Sequence, residues 1–312
     1  MVLLGFDIGG TKCAVIYGDD KGEIFYREEI PTSSPYETIE KLFTLAQKSG
    51  YKAERAGVSC GGPLDEKTGV IKSPPNLKGW DNIPITDMIE KRFKIPANLR
   101  NDANACALAE WRLGAGKGSK NMIFLTFGTG LGAGLILNGK LYSGTNGNAG
   151  EVGHIRMAKS GPLGYGKAGS LEGFVSGGGL AQMGKSYAEK CFKKGISCGF
   201  CKGEKDIPNI TAKGIAIAAE NGDKDALSIY RKCGKYLGKG LSVLIDILNP
   251  ETIVIGSIFA RSEKLLVPSM EKELKKEALD ISRECVKIVP AKLQEKIGDY
   301  AALITAMEKK YD

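Results

Sequence analysis

The sequence predicts an α/β protein built of two duplicated units, each on a mixed β-sheet. Two observations carry this. Strand-like apolar runs alternate with helix-like stretches along the chain. A pattern of strand, glycine turn, strand, polar turn and strand also occurs twice, about 120 residues apart. Solenoid repeats recur every 20–50 residues or so, and this much longer spacing points instead to a duplicated domain.

The first copy opens the chain. Leu3-Leu4-Gly5-Phe6-Asp7-Ile8 is an apolar strand, Gly9-Gly10-Thr11 a turn, and residues 13–17 a second strand. Gly18-Asp19-Asp20-Lys21-Gly22 then turns the chain into a third strand over 23–30. In the second copy Met122-Ile123-Phe124-Leu125-Thr126-Phe127 is the strand, and the glycine turn covers 128–134. Leu135-Ile136-Leu137 follows as a strand, Asn138-Gly139 as a tight hairpin turn, and Lys140-Leu141-Tyr142 as the third strand.

Between the copies, 36–47 and 83–93 are expected as helices, 56–60 and 95–99 as strands, and Asp102–Leu113 as an Ala-rich helix. Beyond the second copy, helices are expected over 171–190, 211–221, 223–249, 265–278 and 298–309, with a short buried strand at Thr252–Ile255. Gly114, Gly116 and Gly118 punctuate the chain between the copies. The expected units are therefore 1–115 with 297–312, the last helix returning to the first unit, and 116–296.

The composition is that of a globular protein: 312 residues, 42% hydrophobic and 26% charged. No apolar run is long enough to span a bilayer. Met1-Val2-Leu3-Leu4-Gly5 lacks a basic n-region and a cleavage site, which argues against a signal peptide. The net charge of +8 suits anionic substrates such as nucleotides, but the lysines are scattered, which argues against nucleic acid. Eight cysteines are too sparse for a disulfide scaffold, and Cys13, Cys60 and Cys106 sit among small or apolar residues as core positions. A cytoplasmic protein with reduced thiols is expected.

The glycine turns carry chemistry. Glycines let backbone N–H groups approach an anion closely, and Thr11 adds a hydroxyl. Asp7, just before the turn, can hold Mg²⁺ or its water. Gly128, Thr129, Gly130 and Gly132 offer a second cradle of the same kind. The G-x-x-x-x-G-K-[ST] spacing of a Walker A loop is absent. Asn101-Asp102 lies between a strand and a helix. Either residue suits a helix cap. Ligands in open α/β sheets also gather at the carboxyl ends of strands, where Asp102 could act as a base. Glu151, His154 (the only histidine) and Glu172 complete the polar candidates, suited to vicinal sugar hydroxyls.

Together these residues resemble the ROK family of repressors, uncharacterised reading frames and sugar kinases. The resemblance implies a two-lobed actin-like (ribonuclease H-like) ATPase fold of the hexokinase superfamily, with duplicated βββαβα domains. Asp7-Ile8-Gly9-Gly10-Thr11-Lys12 resembles the first phosphate motif, and Phe127-Gly128-Thr129-Gly130-Leu131-Gly132 the second. Asn101-Asp102-Ala103-Asn104-Ala105 resembles the catalytic segment, implying Asp102 as general base and Asn101 as a sugar ligand. Glu151-Val152-Gly153-His154 and Glu172 resemble the sugar-binding set, and Asn76 falls in a segment similar to the sugar-proximal loop. Gly256-Ser257 resembles the adenosine-side Gly-Gly, with Ser in place of the second Gly.

One departure stands out. The family's zinc motif C-x-C-G-x-x-G-C-x-E, aligned on Glu172, puts Leu163, Tyr165 and Ser170 at the cysteine positions. These cannot ligate Zn²⁺, so the 159–170 loop must be held by other packing. Cys191, Cys198 and Cys201 lie nearby in sequence, either as plain thiols or as a replacement metal site lacking an evident fourth ligand.

The implied activity is ATP- and Mg²⁺-dependent phosphorylation of a hexose hydroxyl. Glucose is the first choice, with fructose, allose, mannose and N-acetylmannosamine as alternatives, and a homodimer is the usual family form. The sugar is expected in the cleft between lobes and ATP across both hairpins. A non-catalytic sugar-sensing regulator is the alternative of another class. Its helix-turn-helix domain is not expected here, because the first motif begins at Asp7. An actin-like filament former would not need Glu151, His154 and Glu172.

Overall fold

The computed structural model describes residues 1–308. In chain order the elements are β1 (Val2–Ile8), β2 (Lys12–Asp19), β3 (Ile24–Pro31), α1 (Pro35–Lys48), β4 (Arg55–Cys60), β5 (Leu64–Asp65), β6 (Val70–Ile71), α2 (Ile85–Phe93), β7 (Ala97–Asn101) and α3 (Asp102–Leu113). The second series is β8 (Met122–Phe127), β9 (Leu131–Leu137), β10 (Lys140–Leu141), β11 (Leu163–Gly164), β12 (Lys167–Ala168), α4 (Leu171–Phe174), α5 (Gly177–Lys193), α6 (Ala212–Glu220) and α7 (Lys224–Leu248). It closes with β13 (Thr252–Ile255), α8 (Ile258–Glu277), α9 (Asp280–Arg283), β14 (Lys287–Pro290) and α10 (Ile297–Met307).

The duplication is visible in the topology. One sheet runs β3-β2-β1-β4-β7, the other β10-β9-β8-β13-β14, the same order of first, second, third and later strands. In the first, β1 is antiparallel to β2 and parallel to β4, and β4 is parallel to β7. In the second, β13 is parallel to both β8 and β14. Parallel pairing follows from the helices that connect those strands, and antiparallel pairing from the tight hairpins.

The chain divides into two compact units. One comprises Met1–Gly118, Gly134–Ala149 and the stretch from Lys292; the other comprises Ser119–Ala133 and Gly150–Ala291. The sequence placed 134–149 in the second unit. The structure packs this stretch on α3: a Cβ on Gly134 would lie 2.5 Å from the Ala103 carbonyl oxygen.

In the first unit β1 and β2 are buried on both faces, which explains their near-continuous apolar runs. On one face Phe6, Phe43 and Phe93 pack with ring centroids 5.2–6.3 Å apart, joining β1 to α1 and α2. On the other, Leu3, Ala14 and Ile16 meet Ala302, Leu303 and Ala306 of α10. The last helix thus belongs to the first unit; Lys309, its expected end, lies outside the described residues.

Several elements differ from expectation. β9 begins at Leu131 rather than 135, because the glycines of the turn pair as strand. The helix expected over 171–190 breaks at Val175-Ser176, where Ser176 Oγ accepts the Gly179 N–H and caps a new helix. The helix expected over 265–278 begins at Ile258 and contains Pro268 and a kink at Ser262. β14 gave no sequence signal, being a short, half-exposed edge strand.

Candidate functional site

In the first unit the turn after β1 is closed by Gly9 N–H donating to the Lys12 carbonyl at 3.1 Å. Gly10 must be glycine: a Cβ would stand 2.5 Å from the Asn76 carbonyl oxygen. That close approach brings the Asn76 loop onto the hairpin. Thr11 is exposed at its tip. Lys12, the last residue of the segment that resembles the first phosphate motif, pairs with Glu29 at 2.8 Å, in an exposed ion pair of little energetic weight.

Asp7 is the electrostatic centre of this unit. Burial, then the charges of Asp299 and Asp102, push its carboxyl up to about 7, against the pull of Arg27 and Lys12. Asp299 is buried, and both its oxygens accept from Arg27 Nε, at 3.0 and 2.8 Å. A carboxylate so placed fits a divalent cation, whose charge would offset the neighbouring negative ones. Mg²⁺ commonly takes one or two carboxylates plus substrate phosphates, so Asp7 needs no further protein ligand. No cluster of three His, Cys, Asp or Glu side chains suited to a metal occurs among the described residues.

β7 delivers Asn101 and Asp102 to the carboxyl end of the sheet. The cap of α3 is Asn101, whose Oδ1 accepts from Ala103 N–H at 3.0 Å. Asp102 is the first helical residue, and its Oδ1 shares that same N–H at 2.8 Å. The Asn101 amide nitrogen is thereby left for another acceptor, while Asp102 stays exposed. Protein atoms crowding the Asp102 carboxyl raise it above the usual aspartate value, while its hydrogen bond to the Ala103 N–H acts the other way. A base raised in this way is better matched to proton abstraction near neutral pH.

The second unit holds the other hairpin. Thr126 stands where Asp7 stands in the first copy, and its Oγ1 accepts from Gly132 N–H at 2.9 Å. Glu172 comes to this hairpin: its Oε2 accepts from Leu131 N–H at 3.0 Å, and a Cβ on Gly130 would lie 2.8 Å from it. Gly177 N–H and Gly178 N–H, opening α5, donate to the carbonyls of Gly128 and Thr129 at 2.8 and 3.2 Å. A cavity of about 850 Å³ is lined by Gly128, Thr129, Gly177, Gly178, Ser257 and Arg261. Its size suits a nucleoside. Gly256 donates its N–H to Leu125 at 2.9 Å beside this cavity. Ser257 takes the position of the expected second glycine and adopts glycine's conformation, φ +48, with Arg261 donating to its Oγ at 3.0 Å.

Glu151 and His154 are exposed ends of one helical turn, in which His154 N–H donates to the Glu151 carbonyl at 3.2 Å. The following loop is closed without sulfur ligands. Leu163 exchanges two hydrogen bonds with the Gln182 amide, at 2.9 and 2.8 Å. Tyr165 sets its ring edge-on to the imidazole, centroids 6.3 Å apart. Ser170 Oγ, fully buried, caps α4 by accepting from Gly173 N–H at 3.1 Å. Lys167 Nζ donates to the His154 carbonyl at 2.8 Å. Among the other thiols, Cys198 and Cys201 are buried and bridge as a short strand pair, with Cys191 half-buried.

Sequence reasoning missed Asp299, Gly177 and Gly178. The run Ser176-Gly177-Gly178-Gly179 was a legible helix start, hidden by treating 171–190 as one helix. Asp299 gave only the signal of an acid in an otherwise apolar helix.

The ROK family model matches residues 3–309. The chain belongs to the ROK family. The ROK glucokinase of Streptomyces griseus, solved with glucose and AMPPNP, superposes with a TM-score of 0.81 at 30% identity, covering 99% of this chain and 100% of that one. The glucokinase of Halalkalibacterium halodurans is 33% identical over 290 residues, 88% of this chain and 86% of that protein. The xylose repressor of Caldicellulosiruptor bescii is 29% identical over 320 residues, 98% of this chain and 78% of the repressor. The ROK fold is the actin-like one, and its kinases and regulators both resemble this member.

Proposed function

We propose that this ROK protein is an ATP-dependent sugar kinase that phosphorylates a hexose, glucose first, with Asp102 as general base. The observation that carries the reading is the place of Asp102: an exposed carboxylate at the carboxyl end of β7, next to Asn101, whose side chain caps α3. The likeness to glucokinases of Halalkalibacterium halodurans and Streptomyces griseus supports both the reaction and the sugar.

In this reading Asn101, Asn76, Glu151, His154 and Glu172 hold sugar hydroxyls. The Gly9–Thr11 and Gly128–Gly132 turns receive the phosphates on backbone N–H groups. The cavity at Gly128, Gly177 and Ser257, with Gly256 beside it, takes the adenosine. When bound with ATP, Mg²⁺ held through Asp7 would neutralise charge on the phosphates. Asp102 accepts the hydroxyl proton as the sugar oxygen bonds to the γ-phosphorus and the bond to the ADP oxygen breaks. Positioning supplies most of the remaining rate enhancement.

The decisive variant is Asp102→Asn. Sugar binding, read by calorimetry, should persist while kcat in a coupled ADP-release assay falls by about 10³-fold, within the range of general-base loss. More than a tenth of wild-type turnover would remove the assignment. A panel of glucose, fructose, allose, mannose and N-acetylmannosamine in the same assay tests the sugar. A regulator would bind hexose and release no ADP in any arm.

A further inference from the structure

Outside the residues already given roles, one buried ion pair touches the catalytic segment directly. Glu66 lies in the loop between β5 and β6. Its Oε1 accepts the Asn101 backbone N–H at 3.0 Å, and its Oε2 meets Arg100 Nη1 at 2.5 Å. Both side chains are mostly buried, 13% and 16% exposed. Arg100 in turn approaches Glu308 at 3.9 Å, and Glu308 holds Arg112 of α3 at 2.5 Å. Asn101 and Asp102 therefore leave β7 between two fixed points: a carboxylate on the backbone N–H of the cap residue, and an arginine bound to that carboxylate one residue earlier.

Packing does not account for this arrangement. Replacing a mostly buried pair of this kind with apolar side chains is often neutral or stabilising, so fold stability does not demand it. Its geometry instead spends one carboxylate oxygen on a single backbone N–H, that of the residue whose side chain caps α3. A hydrogen bond on that N–H restrains the backbone at Asn101, and with it the direction in which the Asp102 carboxyl leaves the helix start.

We infer that Glu66 is a positioning residue for the Asn101-Asp102 pair, with Arg100 orienting its carboxylate. This rests on the reading of Asp102 as base. A displacement of about 1 Å at a catalytic group can cost on the order of a hundredfold in rate. Glu66→Ala should therefore lower kcat by about ten- to a hundredfold with KM for ATP within about twofold. Glu66→Gln keeps an oxygen for the Asn101 N–H and should recover most of that loss.

Glu66 and Arg100 also wall a cavity of about 640 Å³, so truncating Glu66 widens an existing space and does not empty a packed core. The test measures kcat, KM for sugar and KM for ATP in Glu66→Ala, Glu66→Gln, Asp102→Asn and the Glu66→Ala/Asp102→Asn double variant, with melting curves for each. Support is a kcat-specific loss in Glu66→Ala, rescue in Glu66→Gln, and no further loss when Glu66→Ala is added to Asp102→Asn. Should Glu66→Ala fail to fold, Glu66→Asp, too short to reach both partners, should show the same kcat-specific loss. Wild-type kcat in Glu66→Ala or Glu66→Asp, or multiplicative losses in the double variant, overturns the inference. Retained turnover in Asp102→Asn would instead strike the assignment of the base, and is distinguishable because it appears in the single variant.

Discussion

The two glycine hairpins share a strand order and a backbone plan, yet their surroundings differ in charge. The first ends in Asp7, with Asp102 and Asp299 near enough to raise it. At the matching position the second has Thr126, whose hydroxyl closes its own hairpin on Gly132. Around the second, the exposed turn carbonyls are taken up by Gly177 and Gly178, and Glu172 is tied to Leu131. Duplication therefore supplies two glycine hairpins of one plan, while divergence at one residue leaves a buried acid cluster beside only one of them. In the proposed reading, cation handling and proton transfer fall to the acid-bearing copy, and the other copy contributes neutral N–H groups and a nucleoside-sized cavity.

The largest test of that asymmetry is Asp102→Asn, with its expected loss of about 10³-fold. The pH profile addresses the same residue. Its carboxyl is raised, so the base is protonated and inactive at low pH, and turnover appears as pH climbs through the raised value. The acid limb of kcat should thus lie above about 4, the value of an ordinary aspartate; a limb at or below it would contradict the crowding described.

Next comes a matched pair at the duplicated position. Asp7→Asn should weaken activation by Mg²⁺ about ten- to a hundredfold, the usual scale of damage to a metal site. Thr126→Val should leave Mg²⁺ dependence unchanged. Equal effects in a Mg²⁺ titration would erase the proposed division between the hairpins.

The smallest effects concern the glycines themselves. Gly10→Ala drives a Cβ into a backbone carbonyl and should destabilise by about 1–3 kcal/mol. Gly130→Ala meets only the end of the Glu172 side chain, which can swing at the loss of one hydrogen bond, about 1 kcal/mol. Melting curves that rank the two the other way would show that the second hairpin is the stiffer one.

Much of this was legible because the signals were local. An apolar run followed by clustered glycines identifies a strand and the turn after it without any distant partner, and both hairpins fell where expected. Asn101-Asp102 was legible as a pair, but which one capped α3 was open; side-chain geometry assigned the cap to Asn101. The supporting residues were not legible, because each acts through a residue far along the chain. Asp299 meets Arg27 across 272 positions, and Glu66 meets Asn101 across 35. The 134–149 stretch was misplaced for a related reason: its unit is decided by packing on α3, which no local pattern reports.

The loop from Leu163 to Ser170 has a mechanical consequence. Gln182, Lys167 and Ser170 hold it by hydrogen bonds, with Tyr165 against the imidazole. Each of these tethers is a side chain within the same unit, so loosening any one of them by heat, denaturant or substitution loosens the seat of His154.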